Sequence, residues 1–347
     1  MRWVAAMSRL VRPNPHTVTY SPAQPFVVAA VQLSPVFLDR EATIERACEA
    51  ITNAATRNAR LIVFPELFVP GYPVWVWSIA AGETQALRAL YAELLDQSIT
   101  IPSPAVDRLC EAARAAGAYV TIGVNERNAE ASGTSIYNSL IFIGADGKLL
   151  GVHRKLVPTA GERLVHAQGD GSTLVAYDTA VGRLAGLMCW ENYMPLARQA
   201  IYNAGAQVYV APTWDRGEPW LSTLRHIAKE GRMYVIGCCS AMRLADIPDR
   251  YAFKQGVSVS PSGWVNPGDS VIIDPDGKFV AGPLKDEQSI LFGEVDPQRI
   301  TGPRWQLDVA GHYARPDLLE LVVHRGTRVT GRSVRDAGSG PRDVSGA

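Results

Sequence analysis

The stretch from 183 to 215, RLAGLMCWENYMPLARQAIYNAGAQVYVAPTWD, carries the plan of the fold. Its apolar run Leu184 to Met188 reads as a buried strand, followed by a turn that holds Cys189, Trp190, Glu191 and Asn192. Pro195 opens a helical pattern that runs to Ala204 and is stopped by Gly205, and QVYVAP then reads as the next strand. Strand, helix, strand is the alternation of an α/β layered fold.

The alternation continues on both sides. FVVAAVQL, 26 to 33, suits a buried strand, and Asp39 offers a cap for a helical pattern through Ala59. The run Leu61 to Phe64 ends at Pro65 and Glu66, which places a carboxylate at the end of a buried strand. Ser103 and Pro104 stand in the order of an N-cap and first turn, and Gly117 closes that helix before the strand-like AYVTIGV. A helix near 219 to 232 precedes a strand at YVIGCCS. ADGK at 145 to 148 and DPDGK at 274 to 278 signal hairpins, so the sheets have antiparallel portions as well. No repeat and no Pro/Gly/Ser linker divides residues 26–320, which read as a single domain between an irregular leader, 1–25, and a mobile C-terminal tail, 321–347.

Composition excludes several classes of function. Thirty-four basic residues balance thirty-four acidic ones over the 347 residues, so no broad field draws in nucleic acid or an anionic membrane. No apolar run approaches the roughly 20 residues that cross a bilayer. The five cysteines, at 48, 110, 189, 238 and 239, are odd in number and show no CxxC spacing or nearby His pair, which points to a reducing cytoplasm and no metal site.

Three residues could carry chemistry. Cys189 lies where a strand gives way to a turn and helix, so helix-start N–H groups and a nearby cation would favour its thiolate. A lone cysteine after an apolar strand is nevertheless more often a packed core residue, the reading that suits Cys48, Cys110, Cys238 and Cys239. Lys155, after the strand-like LLGVH, reads by itself as an exposed loop cation. Glu66, enclosed by Phe64, Pro65, Leu67 and Phe68, needs a partner, and a structural ion pair would serve as well as a catalytic site.

Taken together, VFPELFVPGYP at 63 to 73, HRKLVPTAGERLVHAQGDGSTL at 153 to 174 and LMCWENYMPLARQAIYNAGAQVYVAPTWD at 187 to 215 resemble the catalytic segments of the nitrilase branch of the carbon–nitrogen hydrolases. The resemblance runs from about Phe26 to DVAGHYARPDLLEL at 308 to 321. It implies a four-layer α-β-β-α sandwich, with Cys189 as nucleophile, Glu66 as general base, Lys155 as cationic stabiliser and Glu162 as a second, supporting carboxylate. It implies a small-molecule nitrile as substrate, no cofactor, and a homodimer that extends to a larger homo-oligomer or spiral. Tyr72, His166, Trp190 and Trp214, with Trp75 and Trp77, lie near these segments in sequence and are candidates for the walls of an apolar pocket, although each can equally be a core residue; at His166, where many nitrilases carry a bulky aromatic residue, a hydrogen-bonded structural histidine is the commoner case. The rival readings are an amidase or N-carbamoyl hydrolase of the same superfamily, nitrile hydration that stops at the amide, and a non-catalytic filament or binding protein that kept the scaffold.

Overall fold

Residues 24–130 and 132–326 are described by a computed structural model. Strands β1 (Phe26–Gln32), β2 (Ala59–Val63), β3 (Tyr119–Arg127), β4 (Ile136–Ile143), β5 (Leu149–Arg154) and the short β6 (His166–Ala167) build a first sheet. A second sheet is built by β7 (Tyr177–Thr179), β8 (Gly182–Gly186), β9 (Val208–Thr213), β10 (Tyr234–Cys239), β11 (Ala241–Arg243), β12 (Trp264–Ile273) and β13 (Phe279–Lys285). The chain then returns to the first sheet, where β14 (Ser289–Val295) pairs antiparallel with β1. In each sheet three parallel strands, β1-β2-β3 and β8-β9-β10, are flanked by antiparallel neighbours.

Side-chain alternation explains the layering, because successive residues of a strand face opposite sides of its sheet. Val28, Ala30, Leu61 and Val63 of the first sheet meet Val208, Val210, Tyr234 and Ile236 of the second in one core between the sheets. Ala29, Val31 and Ile62 point the other way, under α1 (Arg40–Thr56) and, beyond α2 (Thr84–Gln97), under α3 (Pro104–Ala116). On the far side, Tyr209, Ala211 and Val235 lie under α4 (Pro195–Asn203) and α5 (Glu218–Gly231). Helix, sheet, sheet, helix is the sandwich that the resemblance implies. A last short helix, α6 (Thr301–Gln306), follows β14.

The end signals in the sequence work with local exceptions. Asp39 caps α1 through a 3.0 Å bond from the Ala42 N–H, but the helix stops at Thr56 and not at Ala59. Asn58 turns into the left-handed region at φ +59°, and Ala59 already begins β2. The strand expected to run to Met188 ends at Gly186, and Leu187 and Met188 lead into the turn. Ser103 holds the N-cap position of α3 without a hydroxyl cap bond, and Gly117 ends that helix at φ +60°. Both Asp-Gly hairpins form, with Gly147 and Gly277 at φ near +80°.

Gly123 has a specific task beside the site. A Cβ there would stand 2.4 Å from the Pro65 carbonyl oxygen and 2.7 Å from Glu66 Cα. Its absence lets β3 lie directly against the Glu66 loop, where the Gly123 N–H donates to Pro65 O.

Leu321 and Val323 pack against the layer of α4 and α5, so the packed chain runs past the boundary expected at 320. Residues 327–347 of the expected tail, and the leader through residue 23, lie outside the described residues. Among the described residues no helix is long and apolar enough to cross a membrane.

Candidate active site

Glu66, Lys155, Glu162 and Cys189 come from four separate elements and meet at the strand ends of the two sheets. Glu66 follows β2, Lys155 follows β5, Glu162 sits in a short turn at Ala160–Leu164, and Cys189 opens the turn Cys189–Tyr193 after β8. All four are buried. Lys155 Nζ donates to Glu66 Oε1 at 2.7 Å and to Glu162 Oε2 at 2.8 Å. The exposed loop cation that Lys155 suggests on its own is therefore not found: its ammonium is held between two carboxylates.

Each carboxylate oxygen has its own donors. Asn138 Nδ2 reaches Glu66 Oε1 at 2.8 Å, and the Trp214 N–H reaches Glu66 Oε2 at 2.9 Å. Tyr72 Oη donates to Glu162 Oε1 at 2.8 Å, while the Thr159 N–H donates to Glu162 Oε2 at 2.9 Å. Glu162 thus closes a reciprocal cap with Thr159 that fixes its own turn.

Two carboxylates that share one cation cannot be equally easy to ionise. Burial pushes the Glu66 carboxyl above its ordinary 4.5, against the pull of Lys155. Burial also acts on Glu162, but the Lys155 charge, the nearby His166, and the hydrogen bonds of Lys155 and the Thr159 N–H outweigh it and hold Glu162 low. Burial opposes the charge on Lys155 in turn, yet Glu66, Cys189 and Glu162 together hold its ammonium firmly protonated.

Cys189 departs from the expectation of a standing thiolate. It lies in a tight turn at φ +48°, six residues before the first residue of α4. Burial first, then the charge of Glu66, push its thiol well above the ordinary range, while Lys155 and the Thr213 hydroxyl pull the other way. A neutral thiol beside a carboxyl of raised pKa is a donor and acceptor pair that can exchange one proton without changing the net charge of the pocket.

A cavity of about 390 Å³ opens over this cluster, with Cys189 and Glu162 among its walls. Tyr72, Trp77, Trp190 and Trp214 line it as well. The Tyr72 and Trp214 rings stack 4.6 Å apart at 7°, and Trp190 Nε1 donates to Asp215 Oδ2 at 2.9 Å. Glu66 and Lys155 are not wall residues and lie behind Cys189 and Glu162.

Two of the sequence candidates do not reach the cavity. Trp75 packs edge-on against Phe37 and is fully buried. His166 is buried behind the wall, with its Nε2 2.9 Å from Asn125 Oδ1. The Asn125 amide nitrogen is turned to the carbonyls of Val69 and Gly71, so its oxygen faces His166 and Nε2 carries the hydrogen. Burial depresses the imidazole to about 4. The expected pocket wall at His166 is replaced by a neutral, packed ring.

Other parts of the site were not foreseen. Asn138 sits inside the apolar run IYNSLIFI, and a buried amide within such a strand is a signal that a polar partner is close. The Thr213 hydroxyl, at the last residue of β9, and the Trp214 N–H just after it act through positions that no residue-type pattern marks.

Comparison with known proteins places the chain in a family. The carbon–nitrogen hydrolase family profile matches residues 27–304. The chain is 41% identical over 300 residues to an aliphatic nitrilase of Sinorhizobium fredii, covering 86% of this chain and 95% of that protein. It is 38% identical over 301 residues to a bifunctional nitrilase/nitrile hydratase of Nicotiana tabacum, covering 84% of each. Among solved structures it resembles Saccharomyces cerevisiae Nit3, a member of branch 10 of the nitrilase superfamily, with a TM-score of 0.65 at 24% identity over 85% of this chain and 98% of the other.

Proposed function

The chain belongs to the carbon–nitrogen hydrolase family, in its nitrilase branch, and from that premise we infer that it hydrolyses a small organic nitrile to the carboxylic acid and ammonia through Cys189. The observation that carries the assignment of roles is the buried Glu66–Lys155–Glu162 network packed against a neutral thiol at the wall of an aromatic cavity.

A nitrile carbon carries no leaving group, so a thiol that adds to it divides the hydration into smaller steps. In this scheme Glu66 takes the Cys189 proton as the sulfur–carbon bond forms and returns it to the nitrile nitrogen, giving a thioimidate. Lys155 stabilises the negative charge that builds on nitrogen. One water adds to the thioimidate carbon, the carbon–nitrogen bond breaks, and ammonia leaves a thioester. A second water attacks that carbonyl, and Cys189 recovers its proton as the acid departs. The raised Glu66 carboxyl suits this work, since burial makes it a stronger proton acceptor than an ordinary carboxylate. Glu162 keeps Lys155 in place. No step calls for a metal or a cofactor.

Tyr72, Trp77, Trp190 and Trp214 give the cavity an apolar lining, which fits a nitrile with an apolar body. We further propose a homodimer that extends to a larger assembly; Leu196 on α4 and Trp305, Leu318 and Leu319 further along the chain are large apolar side chains, each at least 67% exposed, that a partner copy would cover. The free thiols of all five cysteines suit a reducing compartment such as the cytoplasm.

The deciding experiment is a panel of aliphatic, aromatic and arylaliphatic nitriles, scored for ammonia, acid and amide, with intact-mass spectra after rapid quenching. Acid with equimolar ammonia and an adduct on Cys189 is expected. Amide without ammonia would replace nitrile hydrolysis by hydration, and turnover of amides alone would favour the amidase reading.

A further inference from the structure

The scheme above uses Lys155 and Cys189 together, and their spacing has a physical origin outside the catalytic network. Glu191, two residues after Cys189, is fully buried and points away from the cavity, under the turn. Its Oε2 accepts the Met188 N–H at 2.8 Å, on the Cys189 side, and its Oε1 accepts the Leu156 N–H at 2.7 Å, on the Lys155 side. Both oxygens face His153 Nε2, at 3.1 and 3.2 Å. One carboxylate therefore grips the residue before the nucleophile and the residue after the cation.

The protonation states follow from the partners. Burial opposes the charge on Glu191, but His153 and the two backbone N–H groups outweigh it and hold the carboxyl below its ordinary range. An ionised carboxylate only accepts, so His153 Nε2 donates. His153 Nδ1 lies 2.8 Å from the Thr173 hydroxyl, which braces the ring from the far side. The chain of contacts Thr173–His153–Glu191 thus links three segments, around 173, 153 to 156, and 188 to 191.

We propose that Glu191, braced by His153 and Thr173, is a positioning residue that sets the distance between Lys155 and Cys189 by holding the Leu156 and Met188 N–H groups on its two oxygens. The inference rests on the roles given above to Lys155 and Cys189. Glutamine at 191 would keep shape and volume yet fail, because its amide nitrogen must face one of the two N–H groups and cannot accept from it. One side of the grip opens while the cavity walls stay in place.

The test is Glu191→Gln, purified as folded protein and corrected for folded fraction by its thermal unfolding. Expected is a fall in kcat of about 100-fold, the scale of a misplaced reacting group, with KM unchanged to within about twofold. The rate at which iodoacetamide alkylates Cys189, located by peptide mass mapping, should fall in parallel. Thr173→Val removes only the outer brace and should lower kcat and alkylation in the same direction by about fivefold, the effect of one hydrogen bond. A structural role alone would reduce the amount of folded enzyme and leave both rates per folded site as they are. A folded Glu191→Gln enzyme with kcat and alkylation within about twofold of the parent, or one that loses KM alone, overturns the proposal. If Glu191→Gln does not fold, Thr173→Val decides by the same two readouts. If the parent turns over no nitrile, the nitrile reading fails, and the alkylation rates still decide the role of Glu191.

Discussion

At the back of the cavity every carboxylate oxygen of Glu66 and Glu162 has a hydrogen-bond donor, and the Lys155 ammonium between them is out of contact with water. At the rim, Trp77 and Trp190 stand 54% and 51% exposed, and Trp190 is tied by a bond from its ring nitrogen to Asp215. The back holds groups whose burial is tolerable only in one arrangement. The rim holds large apolar surfaces that tolerate many. Changes at the back should therefore be severe and largely independent of substrate, while changes at the rim should be mild and differ from one nitrile to the next.

The sharpest test of the back is Cys189→Ala. It removes the atom that forms the covalent bond and alters the packing little, so turnover should fall by at least about 10⁴-fold while thermal unfolding stays close to that of the parent. Measurable turnover by the folded variant would end the assignment of Cys189 as nucleophile.

Lys155→Met asks how far the charges at the back depend on one another. Without the ammonium, Glu66 and Glu162 face each other with no cation between them, and loss of one partner from a buried charged cluster costs about 3–5 kcal/mol. Glu66→Gln should cost less stability, because Lys155 keeps Glu162 and the cluster loses a carboxyl that burial already disfavours in its charged form. Both variants should lose activity by about 10³-fold, the range in which one general base or electrostatic stabiliser acts. Denaturant titration and single-turnover kinetics separate the two effects. Equal destabilisation by the two changes would contradict the unequal ionisation of the carboxylates.

His166 lies just behind the same cluster and should reveal itself through pH. The unfolded chain binds a proton near the ordinary 6.5 and the folded chain only near 4, so between these values the unfolded state holds more protons. Stability is complete above 6.5 and falls as the pH drops through this window, by about 3 kcal/mol at pH 4 from this ring alone. Glu162 and Glu191, held below 4.5, lose their contributions only beneath that value. His166→Gln keeps a donor for Asn125 and has nothing to titrate, so the difference in unfolding free energy between parent and variant should shrink or reverse from pH 7 to 4.5. A difference that stays constant would show that the ring is not held neutral by burial.

How much of this was legible beforehand depends on whether a residue type declares its need. Asp39, Pro104, Gly117 and the two Asp-Gly turns announce element ends because only a few residue types satisfy those backbone positions. Helix α2 was not read: Leu90 and Leu94 are its only buried residues, and Glu83 ahead of it makes no cap bond. Strand β14 was missed for a related reason, since its residues are mostly half-buried and show no clear alternation. Glu66 and Cys189 stood out as candidates by their own surroundings, but the roles of both, with Lys155 and Glu162, were legible only through the resemblance of whole segments. His166 has two readings, a pocket wall and a hydrogen-bonded structural ring, and the structure meets the second. Closeness in sequence to a catalytic segment does not decide on which side of the wall a side chain lies, and there the partner, Asn125, comes from β3.

The smallest effect is expected at the rim, and it separates contact from chemistry. Trp190 is adjacent to Cys189 in the chain, so its indole could act through the turn that holds the nucleophile or through the substrate. Its ring crosses that of Tyr193 edge-on at 5.8 Å, and both side chains donate to Asp215 Oδ2, which anchors the indole at the mouth of the cavity. Trp190→Phe keeps an aromatic face and loses one hydrogen bond, whereas Trp190→Ala loses the face as well. If Trp190 serves the substrate, kcat/KM should fall about twofold for Phe and about tenfold for Ala, mostly through KM, because contact made equally in ground and transition states changes binding alone. The loss should grow with the apolar size of the nitrile, since each buried methylene adds about 0.8 kcal/mol at most. Kinetics for a series of nitriles of increasing chain length would read this directly. A fall in kcat that is the same for every member of the series would instead place Trp190 with the groups at the back, as part of what holds Cys189 in its turn.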